Sequence, residues 1–300
     1  MPRWPKRFDA MASTFWSILA CTPLAIVWPF FPWKPAPVQV SFAGYPESTG
    51  LKAIEFRISD RYLETDGSED GLRQGSGECV YLMDSFWCYD PCEMAVETNA
   101  LPAEGNGWVT FGCLNSCCKI NEPLLALWAQ VLTKVGDSRL VMLGGARSWR
   151  QWTTEFLEAH WVAADRLEFV KRCPRREYLE LYRRLDVVLD SFPYNGHTTS
   201  LDALWMGVPV VSLQGRTRVS RGGWSILTNL GLPELAAPTP EDFVRIATDL
   251  AADLPRLAEL RRTLRSRMEA SVLMDAPRFA RNIETAYRTM WRHWCAEHPA

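Results

Sequence analysis

One run carries most of the chemistry: Asp190-Ser-Phe-Pro-Tyr-Asn-Gly-His-Thr-Thr-Ser-Leu-Asp202. Gly196 permits a tight turn, and His197, Thr198, Thr199 and Ser200 follow where the pattern predicts a helix start. Hydroxyls and backbone N–H groups at the positive end of a helix dipole attract an anion. The run therefore reads as a phosphate cradle without the dinucleotide fingerprint G-x-G-x-x-G. Asp202, one turn into the helix, could accept hydrogen bonds from ribose hydroxyls. A purely local alternative is that the hydroxyls cap the helix and Asp202 complements its dipole, although capping explains one threonine and not a whole Gly-His-Thr-Thr run. Lys119 lies just before a helix predicted to begin near Glu122. A cation at that end opposes the dipole unless an anion lies between them, and a diphosphate would be such an anion; the alternative is a solvated loop lysine.

These residues need a scaffold that brings strand ends together. After Gly107 the pattern alternates: WVTFGCL as a strand, then Glu122 to Val135 with apolar residues at 124, 125, 128, 131, 132 and 135, the spacing of one helix face. RLVMLG, RLEFV, DVVLDSF and PVVSL read as short buried strands, with helices predicted over Arg176 to Arg184, Thr198 to Met206 and Val219 to Leu230. Strand-helix-strand units in this order imply right-handed crossovers and a parallel sheet, an α/β fold whose ligands sit at the carboxyl ends of the strands. Between residues 35 and 107 the pattern is looser: VQVSF and IEFRIS read as strands, and Glu64 to Glu78 as a surface excursion. A long helix is predicted from about Pro277 to Cys295.

Composition narrows the function classes. The chain has 300 residues, 47% hydrophobic and 23% charged, which is enough for a substantial core. Its net charge of -2 argues against nucleic acid as a main partner. Nine cysteines, an odd number, match neither a zinc pattern nor a redox pair and read as reduced thiols of a cytoplasmic protein. Residues 14 to 33 are uncharged, long enough for a membrane span, yet Pro23, Pro29 and Pro32 interrupt any helix. Residues 1–34 are therefore expected to be an atypical hydrophobic lead-in, with membrane association as the alternative.

From Ala36 to Cys295 the chain resembles the catalytic region of the O-linked N-acetylglucosamine transferases, SPINDLY-like and bacterial relatives included. The segments that carry the resemblance are PVQVSFAGYPESTG, DSFWCY, FGCLNSCCKI, LDSFPYNGHTTSLDALWMGVPVVSL, the VSR at 219 to 221 and AYRTMWRHWC. The resemblance implies a GT-B arrangement of two Rossmann-like lobes: a partial amino-terminal lobe over 35–107, a complete nucleotide-sugar-binding lobe over 108–276, and a closing helix over 277–300. It implies inverting transfer of a sugar, N-acetylglucosamine foremost, from a UDP-sugar to Ser or Thr hydroxyls of proteins, with no metal or other cofactor. GDP-fucose is an alternative donor, and a nucleotide-sugar-binding relic an alternative function.

Carried over by position, Lys119 matches the lysine that contacts the diphosphate, and Gly196, His197, Thr198 and Thr199 the phosphate-binding run, with Lys119 and His197 the expected catalytic pair. Asp202 matches the carboxylate that holds the ribose. Tyr178 falls where a histidine commonly packs against uracil, a role its ring can also fill. Arg175 falls at a basic position near the base, and Ser116 stands where amide or aromatic side chains are often found. Gly44, Tyr45 and Pro46 match a loop that approaches the sugar. Family members also carry a histidine-bearing loop ahead of the PVQV strand, whereas the histidines here are His160, His197, His293 and His298. The resemblance thus implies an incomplete acceptor side, and a repeat-bearing segment or chain as a partner.

Overall fold

The computed structural model describes residues 15–19, 33–65, 71–74, 78–92 and 96–299. In chain order the strands and α-helices are β1 (Phe15–Leu19), β2 (Val38–Phe42), β3 (Phe56–Asp60), β4 (Gly71–Gln74), β5 (Cys79–Met83), α1 (Pro102–Asn106), β6 (Val109–Cys113), α2 (Glu122–Lys134), β7 (Ser138–Leu143) and α3 (Arg147–Ala159). There follow β8 (Leu167–Val170), α4 (Arg175–Leu181), β9 (Val187–Leu189), α5 (Thr198–Trp205), β10 (Val210–Leu213), α6 (Gly222–Asn229), β11 (Ala236–Ala237), α7 (Pro240–Ala252), α8 (Leu254–Glu269) and α9 (Ala276–Glu297). They form two units: the described residues up to Cys88 together with those from Asp275, and Tyr89–Met274.

In the first unit the strand order is β1-β2-β3-β5-β4, parallel except for β4, which runs antiparallel to β5. Alternation in VQVSF sends Val38 and Val40 to one face, where they pack with Phe56, Ile58 and Met83 against Ala286 and Met290 of α9. Two expectations are corrected here. Phe15–Leu19, inside the supposed lead-in, is an edge strand in register with β2, Phe15 opposite Val38. The predicted surface excursion from Glu64 to Glu78 contains β4, and the carboxylates at its ends turn inward. Fully buried Arg57 donates to Glu64 (2.7 Å) and Glu78 (2.9 Å), because a guanidinium under a sheet must find carboxylates.

The second unit holds a parallel sheet in the order β11-β10-β9-β6-β7-β8. From β6 the chain moves outward to β7 and β8, then returns to lay β9 on the other side of β6. The direction of winding therefore reverses between β6 and β9, and the crevice beyond their carboxyl ends is where such a sheet binds ligands. Helix α2 buries Leu124, Leu125, Trp128, Val131 and Leu132 at the spacing read from the sequence, and Asn121 caps it by accepting from the Leu124 N–H (3.1 Å). The helix predicted over Val219 to Leu230 is interrupted: a single 3₁₀ turn, Arg218–Ser220, precedes α6. Gly222 and Gly223 open α6 because it lies close against β10 and the 190–196 loop. A Cβ on Gly223 would stand 1.9 Å from the Ser212 Oγ.

Candidate functional site

The segments after β6 and β9 meet at the reversal point. Behind β9, residues 190–196 form a loop folded around the Asp190 carboxylate. Its Oδ1 accepts the backbone N–H groups of Ser191 (2.8 Å) and Gly196 (2.7 Å), and its Oδ2 accepts the Ser212 hydroxyl (2.7 Å). Loop carbonyls are engaged as well. Phe192 O accepts from Asn121 Nδ2 (2.7 Å), Tyr194 O from Ser191 Oγ (2.7 Å) and Ser191 O from Asn195 Nδ2 (2.9 Å). Gly196 must be glycine for space, since a Cβ there would lie 2.3 Å from the Ser200 Oγ and 2.9 Å from the Asp190 Oδ1.

Behind β6, a 3₁₀ turn over Cys117–Lys119 aims Lys119 at that loop. Its Nζ donates to the Asn195 carbonyl (2.8 Å) and sits 4.0 Å from the centre of the Tyr194 ring. Burial lowers the pKa of this ammonium, while the Asp190 charge pulls it back up. Lys119 is thus a half-buried cation of the site and not a solvated loop lysine. Asp190 is driven the other way: burial raises its carboxyl to about 6, and the bonds from Ser212 and Gly196 and the Lys119 charge restrain the rise.

Helix α5 begins at Thr198 with no side chain capping it, so the threonines leave the helix end available to an anion. Thr198 is exposed. Thr199 donates its hydroxyl to Asn115 Oδ1 (2.8 Å), and its carbonyl accepts from the Tyr182 hydroxyl (3.0 Å). The His197 ring lies beside Tyr194, ring centres 5.3 Å apart, with Nε2 enclosed. Burial and the Lys119 charge push its pKa down to about 3, which keeps it neutral at pH 7.

Asp202 is 1% exposed and already held by protein donors. Both guanidinium ends of Arg175 reach its two oxygens, and the Tyr89 hydroxyl donates to Oδ1 (2.8 Å). The bond to Asp202 raises the Arg175 pKa, and burial raises that of Tyr89. Arg175 also passes 5.6 Å from the Tyr178 ring centre, and the Tyr178 and Tyr182 hydroxyls are 2.6 Å apart. Lys119, Arg175, Tyr178, Gly196, His197, Thr198, Thr199 and Asp202 therefore share the second unit. Gly44, Tyr45 and Pro46 lie in the first, behind β2, where Arg57 donates to the Pro46 carbonyl (3.4 Å).

Residues 91–283 match the model of "Glycosyl transferase family 41". The chain belongs to glycosyl transferase family 41. Over 266 residues the family 41 chain is 38% identical to a Petunia hybrida protein described as a probable UDP-N-acetylglucosamine--peptide N-acetylglucosaminyltransferase SPINDLY, covering 87% of this chain and 28% of that protein. A probable transferase of the same description, SEC of Arabidopsis thaliana, is 26% identical over 278 residues, 89% of this chain and 28% of that one. Among solved structures, a mutant Thermobaculum terrenum O-GlcNAc transferase superposes with a TM-score of 0.79 at 34% identity, over 88% of this chain and 50% of that one. The fold is thus the α/β, GT-B type, its sheets parallel apart from β4. A second GT-B likeness, Staphylococcus aureus TarM at TM-score 0.54 and 11% identity, supports the fold alone.

Among the described residues of the family 41 chain, no helix is long and apolar enough to cross a membrane. No group of three or more His, Cys, Asp or Glu among them is placed to hold a metal ion. Sequence reasoning gave no individual role to Asp190, Asn195, Asn121, Asn115 or Tyr89. Asp190 had a visible signal, a carboxylate ending the apolar run VVL; the asparagines and Tyr89 act through tertiary contacts that no local pattern marks.

Proposed function

We propose that this chain binds a UDP-sugar at the β6/β9 crevice and transfers the sugar, N-acetylglucosamine foremost, to Ser or Thr hydroxyls of protein acceptors with inversion and without a metal ion. The observation that carries the reading is the convergence of Lys119 and the uncapped start of α5 on one hydrogen-bonded loop, a fixed pair of positive ends at a reversal point. The activities described for the plant relatives and for the Thermobaculum terrenum enzyme support the donor and acceptor classes.

The acceptor oxygen attacks the anomeric carbon as the bond from that carbon to the diphosphate oxygen breaks; UDP leaves with the electron pair and the hydroxyl proton is released to solvent. Negative charge grows on the diphosphate, so donors fixed before the reaction lower the barrier most. Lys119 has two further N–H donors to offer beside the one given to Asn195. Neutral His197 can donate a hydrogen bond but adds no charge. Asp202 with Arg175 would hold the ribose, and the Tyr178 ring would face the base.

Calorimetry with UDP-N-acetylglucosamine in the presence of a chelator should show binding, which Lys119→Ala weakens sharply. In a transfer assay with labelled donor and a mixed peptide pool, Lys119→Ala should lower turnover a few hundredfold, about 3 kcal/mol of transition-state stabilisation. Binding that disappears with chelator removes the metal-free reading. Binding with no transfer to any peptide leaves a nucleotide-sugar-binding protein.

A further inference from the structure

Asp190 is buried, and three elements converge on it. Its oxygens take two loop N–H groups and the β10 hydroxyl of Ser212, and Gly223 of α6 lies so close that a Cβ there would come within 3.1 Å of Oδ2. The loop it gathers ends in the carbonyl that holds Lys119. We propose that Asp190 is the positioning residue of this site: its carboxylate folds the 190–196 loop and supplies the buried counter-charge that keeps the Lys119 ammonium charged for a diphosphate. The diphosphate part rests on the function proposed above; the coupling of the two charges does not.

The ionisable neighbours leave Asp190 in that role. Cys113 on β6 is pushed up to about 12 by burial and stays a neutral thiol, and His197 at the mouth of α5 is neutral above about pH 3. Helix α6 brings the backbone of Gly223 against the carboxylate, and β10 brings the Ser212 hydroxyl. Cys118, on the same 3₁₀ turn as Lys119, is exposed. Among the charges that draw the Lys119 pKa upward, Asp190 contributes most. A carboxylate that is itself lost near pH 6 then makes the cation's environment depend on pH.

The test follows the Lys119 side chain by ¹³C and ¹⁵N NMR against pH in the whole chain, assigned with Lys119→Arg. In the wild type its resonance should show an inflection near pH 6 as Asp190 ionises. Asp190→Asn keeps an acceptor for Ser191 and Gly196 while removing the charge. It should abolish that inflection and lower the pKa of Lys119 by about one pH unit or more. Ser212→Ala removes one of the bonds that holds the Asp190 pKa down and should move the inflection to higher pH, so the proposal remains testable should Asp190→Asn not fold. UDP-N-acetylglucosamine, whose diphosphate is a diester without an ionisation in this range, should bind Asp190→Asn about tenfold more weakly at pH 7.5. A Lys119 titration unchanged in Asp190→Asn, or an inflection unmoved in Ser212→Ala, overturns the proposal. Failure of the wild type to bind the donor overturns the proposed function and leaves the NMR result to decide the coupling.

Discussion

Asp202 shows how a residue's chemistry is set by what is packed around it. A carboxylate at 1% exposure needs a cation, and Arg175, itself 31% exposed, provides one with two nearly parallel donors. Removing the arginine strands the charge. Arg175→Ala should therefore destabilise the chain by about 3 kcal/mol in denaturant unfolding, and Asp202→Asn in the same background should recover part of that loss. If the two substitutions simply add, the pair is not coupled. Tyr89→Phe should cost less, about 1 kcal/mol, because one of several bonds to Asp202 is lost and no charge is left alone. Asp202 was legible from its place one turn into the helix that follows the Gly-His-Thr-Thr run, and Arg175 only through the family resemblance. Their bond to each other was not, because it depends on α4 and α5 being set side by side by the β8 and β9 crossovers.

Elements were legible where burial has a period and illegible where it depends on a distant partner. Helix α2 followed from its apolar spacing, and β6 to β10 from short apolar runs that a sheet covered on both faces requires. Strand β4 was hidden because Gly71–Gln74 sits in a stretch rich in Gly, Asp and Glu, the composition of a loop, and because Arg57 reaches Glu64 and Glu78 only in the folded sheet. The break before α6 was hidden for a related reason, a space requirement visible only once β10 lies beneath it. Gly223→Ala should make the point quantitatively. Its Cβ would fall 1.9 Å from the Ser212 Oγ and 2.4 Å from the Ser212 Cβ, so strand or helix must move. A loss of about 2–3 kcal/mol is expected, the range for overpacking a tight contact. A denaturation midpoint equal to that of the wild type would mean that α6 shifts freely and that the glycine is not required for space.

Across the whole chain the same buried groups make stability depend on pH, with opposite signs. The folded-state pKa of Asp190 is raised to about 6, so the folded protein binds the proton more tightly than the unfolded chain does. Its contribution is complete below the ordinary carboxylate range and is lost as pH rises through 6. His197 is lowered to about 3, so its contribution is complete above the ordinary histidine value and is lost as pH falls from about 6.5 toward 3. Between pH 4 and 6 the two slopes oppose each other and mask much of each other's effect. Replacing His197 with Asn removes one of them. The free-energy difference between wild type and His197→Asn should then shrink steadily as pH falls from 6.5 to 4, by on the order of 3 kcal/mol. Groups common to both chains cancel in that difference, so it can be read from denaturant curves at matched pH even though the chain has two units. A difference that stays flat across this range would show that the His197 ring takes up its proton in the folded protein as readily as in the unfolded chain, and that neither its enclosure nor the Lys119 charge exacts an electrostatic penalty.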